Sequence, residues 1–198
     1  QYPEVQALRR FLTSFAVDCL FDVGANRGQY ATMARRDAGY RGLILSFEPN
    51  PDIFALLEKR AAADPRWHVF NMALSDFDGT ASFNIMAADQ FSSLKKPSGV
   101  QDAIFADRNK VTKTVEMQCR RLDTLLPELL AQHGFARPFL KMDTQGHDLS
   151  VCEGAGDAIG RMLGVQTELG VRPIYDGGTG YRAMIDWLEA RDFMPSAF

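Results

Sequence analysis

The sequence predicts an α/β domain with a mostly parallel central sheet covered by helices on both faces. Three observations predict it. Short apolar runs of strand length alternate with longer segments whose apolar residues recur at helical spacing. The first well-defined run leads into a glycine-punctuated turn, Phe21-Asp22-Val23-Gly24-Ala25-Asn26-Arg27-Gly28-Gln29-Tyr30, followed directly by a helix-compatible segment. The second run, Leu43 to Phe47, closes on an acid in Glu48-Pro49-Asn50.

Taken in order, Leu8, Phe11, Leu12 and Phe15 sit at helical spacing, with Arg9 and Arg10 on another face. Residues 1–17 therefore read as an amphipathic N-terminal helix that packs on the sheet. Strand one is expected at Cys19 to Val23, and the next helix at about Gly28 to Asp37, broken by Gly39. Strand two is Leu43 to Phe47. Pro51, at a favourable first-turn position, opens a helix to about Ala63. Strand three is Trp67 to Phe70. The sequence then changes character: Thr80 to Ile85 and Val111 to Cys119 alternate in the strand manner around a polar, mixed stretch, Met86 to Lys110. Residues 80–119 are accordingly expected as a small β insertion between strands three and four.

Leu122-Asp123 opens a helix carrying Leu125, Leu126, Leu129 and Leu130. Strand four, Phe139 to Met142, ends at Asp143, with Gly146 in the following turn and a helix from about Leu149 to Ala155. Strand five, Leu163 to Thr167, ends at Glu168. The run Gly177-Gly178-Thr179-Gly180 lacks the Lys and Ser/Thr of a phosphate loop and reads as an acceptor-side loop. Met184, Trp187 and Leu188 lie on a last helix, and Phe193-Met194 could begin a final strand.

A chain of 198 residues is expected to form one domain, 1–198, with a sizeable core. The formal charge of -3 gives no reason to expect a nucleic-acid partner or an anionic-membrane anchor. No apolar run approaches the roughly 20 residues that cross a bilayer, and no signal-peptide pattern is visible. The first residue is Gln1 rather than Met, which leaves the true start of the chain open. Cys19, Cys119 and Cys152 are widely spaced among apolar neighbours, so they read as small buried hydrophobes of a cytoplasmic protein, not as a metal site. Oligomeric state is not readable.

A strand, a glycine turn, a helix and a second strand closing on an acid is how a nucleoside-type cofactor is held. The turn departs from the dinucleotide fingerprint, because Gln29 stands where its third glycine belongs. Asp22 at the strand end would repel phosphates but could orient a water or an ammonium group. Only Arg27 in the turn could offset phosphate charge. S-adenosylmethionine (SAM), which carries an α-amino group and a sulfonium, fits better, and nicotinamide redox chemistry is disfavoured.

The block Phe21 to Tyr30 resembles the opening motif of the FkbM-type SAM-dependent methyltransferases. The likeness continues through Ser46-Phe47-Glu48-Pro49-Asn50 and through Asn71-Met72-Ala73-Leu74-Ser75-Asp76-Phe77-Asp78-Gly79. It extends to Arg121-Leu122-Asp123-Thr124-Leu125 and Leu140-Lys141-Met142-Asp143-Thr144-Gln145-Gly146-His147-Asp148. These blocks follow the family's order over about residues 20 to 170. The resemblance implies a Rossmann-like class I methyltransferase fold with a seven-stranded sheet. It implies that Asp22, Gly24, Ala25, Asn26 and Gly28 surround the methionine part of SAM. By the same likeness Glu48 holds the ribose hydroxyls, with Pro49 and Asn50 near the adenosine, and Asn71, Met72 and Ala73 border the adenine. Asp143 would face the transferring methyl group.

Two departures stand out. The family commonly has Glu where this chain has Gln145, so any role of a carboxylate there is lost. The chain also ends where the final antiparallel strand pair should form, so either it is trimmed or the sheet is shorter at that edge.

Methyl transfer is an in-line displacement, and the protein mainly positions the acceptor and excludes water. A hydroxyl acceptor gains from a general base, for which Asp143, Glu168 and His147 are the candidates. Their plainer roles are helix capping for Asp143, pairing with Arg172 or Arg182 for Glu168, and capping or solvation for His147. Two carboxylates at separate strand ends do not make a metal site, and none is expected. The expected activity is O-methylation of a small molecule or saccharide. The alternative is a non-catalytic SAM- or nucleoside-binding module, or a partner subunit.

Overall fold

A computed structural model describes residues 3–86, 111–169 and 180–196. Phe91, the Ser92-Ser93 and Lys95-Lys96 pairs and most of the glycine run at 177–180 lie outside the described residues. The elements are α1 (Pro3–Ser14), β1 (Cys19–Val23), α2 (Gln29–Arg36), β2 (Leu43–Phe47), α3 (Pro51–Ala61), β3 (Trp67–Phe70) and β4 (Ala73–Leu74). They continue with β5 (Gly79–Met86), β6 (Val111–Arg120), α4 (Leu122–His133), β7 (Pro138–Met142), α5 (Asp148–Ala155), β8 (Val165–Gln166) and α6 (Tyr181–Glu189). A 3-10 segment, Gly156–Arg161, follows α5.

The main sheet has five strands in the order β3-β2-β1-β7-β8, every neighbouring pair parallel. This is the Rossmann-like arrangement. A separate sheet, ordered β4-β6-β5, pairs β4 with β6 in parallel and β5 with β6 antiparallel. The strand segments expected between strands three and four thus form a sheet of their own.

β1 is buried along its whole length because helices cover both faces. On one face Leu20, Ile44 and Phe139 meet Val5, Leu8 and Leu12 of α1, Ala31 and Ala34 of α2, and Leu57 of α3. On the other, Phe21, Val23, Leu45, Phe47, Leu140 and Met142 meet the leucines of α4, Val151 and Cys152 of α5, and Met184 of α6. Burying one such leucine side chain contributes about 2 kcal/mol. The helix ends follow local chemistry. Asn50 caps α3 by accepting from the Asp52 and Ile53 amides, with Pro51 beside it. Gly134, in the left-handed region at φ 67°, stops α4.

Three expectations change. Among the described residues the main sheet has five strands, not seven. The last of these, expected over Leu163 to Thr167, is strand only at Val165–Gln166, although the Leu163 amide already donates to the Pro138 carbonyl at 2.8 Å. Phe193-Met194 does not begin a strand. The Phe193 amide instead closes α6 by donating to the Leu188 carbonyl at 3.1 Å, behind Asp192 at φ 65°, and Met194 stays 86% exposed. No helix among the described residues is long and apolar enough to cross a membrane.

Candidate active site

The strand order reverses direction at β1, with β2 on one side and β7 on the other, and this opens a crevice at their carboxyl ends. The turn from Gly24 to Gly28 lies there. The Gly24 and Ala25 amides donate to the Phe47 carbonyl at 3.1 and 3.0 Å, and the Asp143 amide donates to the Val23 carbonyl at 3.0 Å. Gly24 has φ 71°, and a Cβ on it would fall 1.9 Å from the Asp143 carbonyl oxygen. Only glycine fits so close an approach. Gly28, at φ 78°, is the contact point of α2: a Cβ there would meet the Trp67 ring at 2.7 Å and Leu57 at 2.9 Å. Gly28 therefore makes room at the start of α2 for the Trp67 ring of β3 and for Leu57 of α3.

Glu48 follows β2 and is almost fully buried. Its Oε2 accepts the Asn26 amide and its Oε1 the Asn50 amide, both at 2.8 Å. One carboxylate thus clamps the glycine turn to the start of α3, with lone pairs remaining on both oxygens. Burial pushes its carboxyl up to about 7, the two backbone donors acting in the opposite direction. Asn71 brings the end of β3 to this clamp by donating to the carbonyls of Glu48 and Pro49 at 2.9 and 3.1 Å. Asn26, Glu48, Pro49, Asn50 and Asn71 are therefore one cluster; Ala25 and Ala73 are buried beside the strand ends, and Met72 is half-buried.

Asp22 lies beneath the turn instead of facing the crevice. It is 0% exposed, its Oδ1 accepts from Lys141 Nζ at 2.9 Å, and its Oδ2 accepts from Ser46 Oγ at 3.3 Å. Lys141 Nζ also approaches the Gly24 carbonyl at 3.3 Å and sits 5.2 Å from the centre of the Tyr30 ring. In this structure Asp22 is a buried, paired carboxylate that supports the turn from below. Register explains the pairing, because Ser46, Asp22, Lys141 and Gln166 are direct neighbours across β2, β1, β7 and β8. Lys141 escaped the sequence reading. The available signal was one lysine inside an apolar strand and one aspartate inside another, which must meet if both are to be buried.

Asp143, at the end of β7, and Glu168, after β8, come together. Gln145 Nε2 donates to Asp143 Oδ1 at 2.7 Å and reaches Glu168 Oε2 at 3.4 Å. Desolvation first, and then the facing Asp143 carboxylate, push the Glu168 carboxyl up to about 7. Glu168 keeps an exposed face, so its desolvation is partial and the neighbouring charge matters. Asp148 accepts from the Thr144 amide at 2.9 Å and from its hydroxyl at 2.6 Å, fixing the turn after Asp143.

His147 is placed differently. It is only 8% exposed, and its Nε2 shares a hydrogen bond with Ser75 Oγ at 3.0 Å. This candidate base at a helix start is a buried residue that joins α5 to the end of β4. Among the described residues no group of three or more His, Cys, Asp or Glu side chains could hold a metal ion.

The chain is 25% identical over 179 residues to the 2-O-methyltransferase NoeI of Sinorhizobium fredii, a match covering 85% of this chain and 70% of that one. A crystal structure of the methyltransferase FkbM from Methylobacillus flagellatus KT superposes with a TM-score of 0.45 at 17% identity. That match covers 73% of this chain and 30% of the solved one, so the chain spans under a third of that protein's length. The model of the methyltransferase FkbM domain matches residues 22–195, and the chain belongs to the FkbM methyltransferase family.

Proposed function

We propose that the chain is a SAM-dependent methyltransferase acting on a hydroxyl of a small molecule or saccharide, and that it works in the cytoplasm. The observation that carries the cofactor reading is the Glu48 clamp. A carboxylate fixed by backbone donors from two loops, beside a turn that admits only glycine at position 24, is already oriented for a ribose diol. Gly24, Ala25, Asn26 and Gly28 would border the methionine part, Glu48 with Pro49 and Asn50 the ribose, and Asn71, Met72 and Ala73 the adenine. Asp22 acts through Lys141, holding the shape of the turn. When bound, SAM supplies a methyl group on a sulfonium, which passes to the acceptor oxygen as the S–C bond breaks and S-adenosylhomocysteine leaves. The acceptor hydroxyl gives up its proton to the carboxylate pair of Asp143 and Glu168 at the crevice edge. The similarity to NoeI, a 2-O-methyltransferase, supports a hydroxyl acceptor. Three buried, free thiols fit a reducing compartment.

Calorimetric titration of SAM, S-adenosylhomocysteine and NAD into the purified protein tests the cofactor. Micromolar binding of the first two and none of the third is expected. No SAM binding by a folded sample would sink the proposal. Transfer from labelled SAM to a panel of hydroxylated metabolites and sugars then identifies the acceptor. Tight SAM binding with no transfer to any member would favour the binding-module alternative.

A further inference from the structure

We propose that Gln145 is a positioning residue that divides the labour of the facing carboxylates, engaging Asp143 with its amide and leaving Glu168 as the proton acceptor. This rests on the methyltransferase reading above. Gln145 lies two residues past Asp143 with its backbone in the left-handed region at φ 54°, followed by Gly146 at φ 87°. A glutamine pays a conformational cost to sit there, and the bend turns its amide back over the end of β7. The amide nitrogen carries two hydrogens and serves two carboxylates from one neutral group.

Its two contacts are unequal. The one to Asp143 Oδ1 is 2.7 Å, a strong charge-assisted bond, and the one to Glu168 Oε2 is 3.4 Å, a weak one. Donation of this kind stabilises the charged form of the carboxylate that receives it. Asp143 is therefore the carboxylate the amide engages, and Glu168 is the group left to take the proton. The charged groups facing Glu168 agree: Asp143 and Asp148 both favour its protonation, and only Lys141 opposes it. A third carboxylate in place of Gln145 would remove the donor and add a like charge to the cluster. In the transfer step the acceptor O–H bond breaks as the O–C bond forms, and that proton passes to the ionised Glu168 carboxylate. A base that titrates near neutrality is well matched to this work.

The test is a carboxyl 13C NMR titration of the protein without SAM, from about pH 3 to about pH 9, spanning both ordinary and raised carboxyl ranges. Asp143→Asn and Glu168→Gln assign the two resonances. In the unaltered chain Glu168 is expected to titrate near 7. In Gln145→Leu the Glu168 midpoint is expected to shift by about half a pH unit or more, as for a member of a coupled pair that has lost its donor. Gln145→Asn, whose shorter amide cannot span the pair, gives the same direction if the leucine variant does not fold. A Glu168 midpoint in the ordinary carboxylate range, or curves unmoved in the folded Gln145 variants, would overturn the proposal. Calorimetry on the unaltered chain separates this from the broader reading. Absent SAM binding defeats the methyltransferase assignment, whereas intact binding with unmoved curves defeats only the role of Gln145.

Discussion

Glu48 shows how much one residue does in this site. Its two oxygens already hold the Asn26 and Asn50 amides at 2.8 Å, so the carboxylate arrives in position before any ligand does. Pre-orientation of this kind means that little entropy is lost when a diol binds. Replacing Glu48 by Ala removes two charge-assisted acceptors as well as the loop clamp, and SAM affinity should fall by about 1.5–3 kcal/mol. Calorimetry measures this directly, and an unchanged affinity would refute the assigned role. The sign of the pH dependence follows from the same carboxyl. Ribose hydroxyls donate to its ionised form, and the carboxyl titrates at about 7, so SAM affinity of the unaltered chain should weaken as pH falls through 7.

At the scale of elements, the site depends on four strands kept in register. Ser46, Asp22, Lys141 and Gln166 run as a polar row across the same sheet face whose other rows are apolar. Trp67 Nε1 extends the row by donating to Ser46 Oγ at 2.9 Å, and the Tyr30 hydroxyl extends it by donating to Gln166. Sliding any strand by one residue would turn these groups into the opposite core and bury them without partners. Lys141→Met leaves the Asp22 charge buried without its cation and should cost about 3–5 kcal/mol in denaturant unfolding. Adding Asp22→Leu should recover most of that loss, because an apolar pair satisfies the same space. If the single and double variants were equally unstable, the pair would not be what holds β1 to β7.

Across the whole molecule, two sets of carboxylates set opposite limits on stability. Asp64 is held below the ordinary range despite some desolvation, by hydrogen bonds from Arg35 and the Arg66 amide. Asp78 is held down by the Arg121 amide, Thr124 and Arg120, and Asp123 by Arg121. Their contribution is present above 3.8, the unfolded value, and is lost as pH falls through their folded values. Glu48 and Glu168 behave in the reverse way. Their contribution is full below 4.5 and is lost as pH rises to about 7. In the ligand-free chain Asp64, Asp78 and Asp123 should therefore make the melting temperature rise out of the acid range, while Glu48, Glu168 and Asp148 pull it down toward 7, opposed by His133, which burial holds below 6.5. Bound SAM, by favouring ionised Glu48, should flatten the decline. A melting temperature that climbs steadily to neutral pH would contradict this balance.

The sequence by itself determined the alternation of strands and helices, the glycine turn and the acid that ends the second strand. These are local: they follow from side-chain periodicity, from backbone conformations open to glycine, and from caps such as Asn50-Pro51. It also brought Asp143 and Glu168 forward as acids at strand ends. It could not find β4, whose two residues are too short for any period, nor show that Phe193 closes a helix instead of opening a strand. Only the tertiary structure decided that Asp22 is spent on Lys141, 119 positions away, and that His147 is spent on Ser75. It alone brought Gln145 between two carboxylates. The physical reason is that whether a charged side chain faces a ligand or a buried partner depends on register and on which strands are neighbours, and neither is encoded in the residues around it.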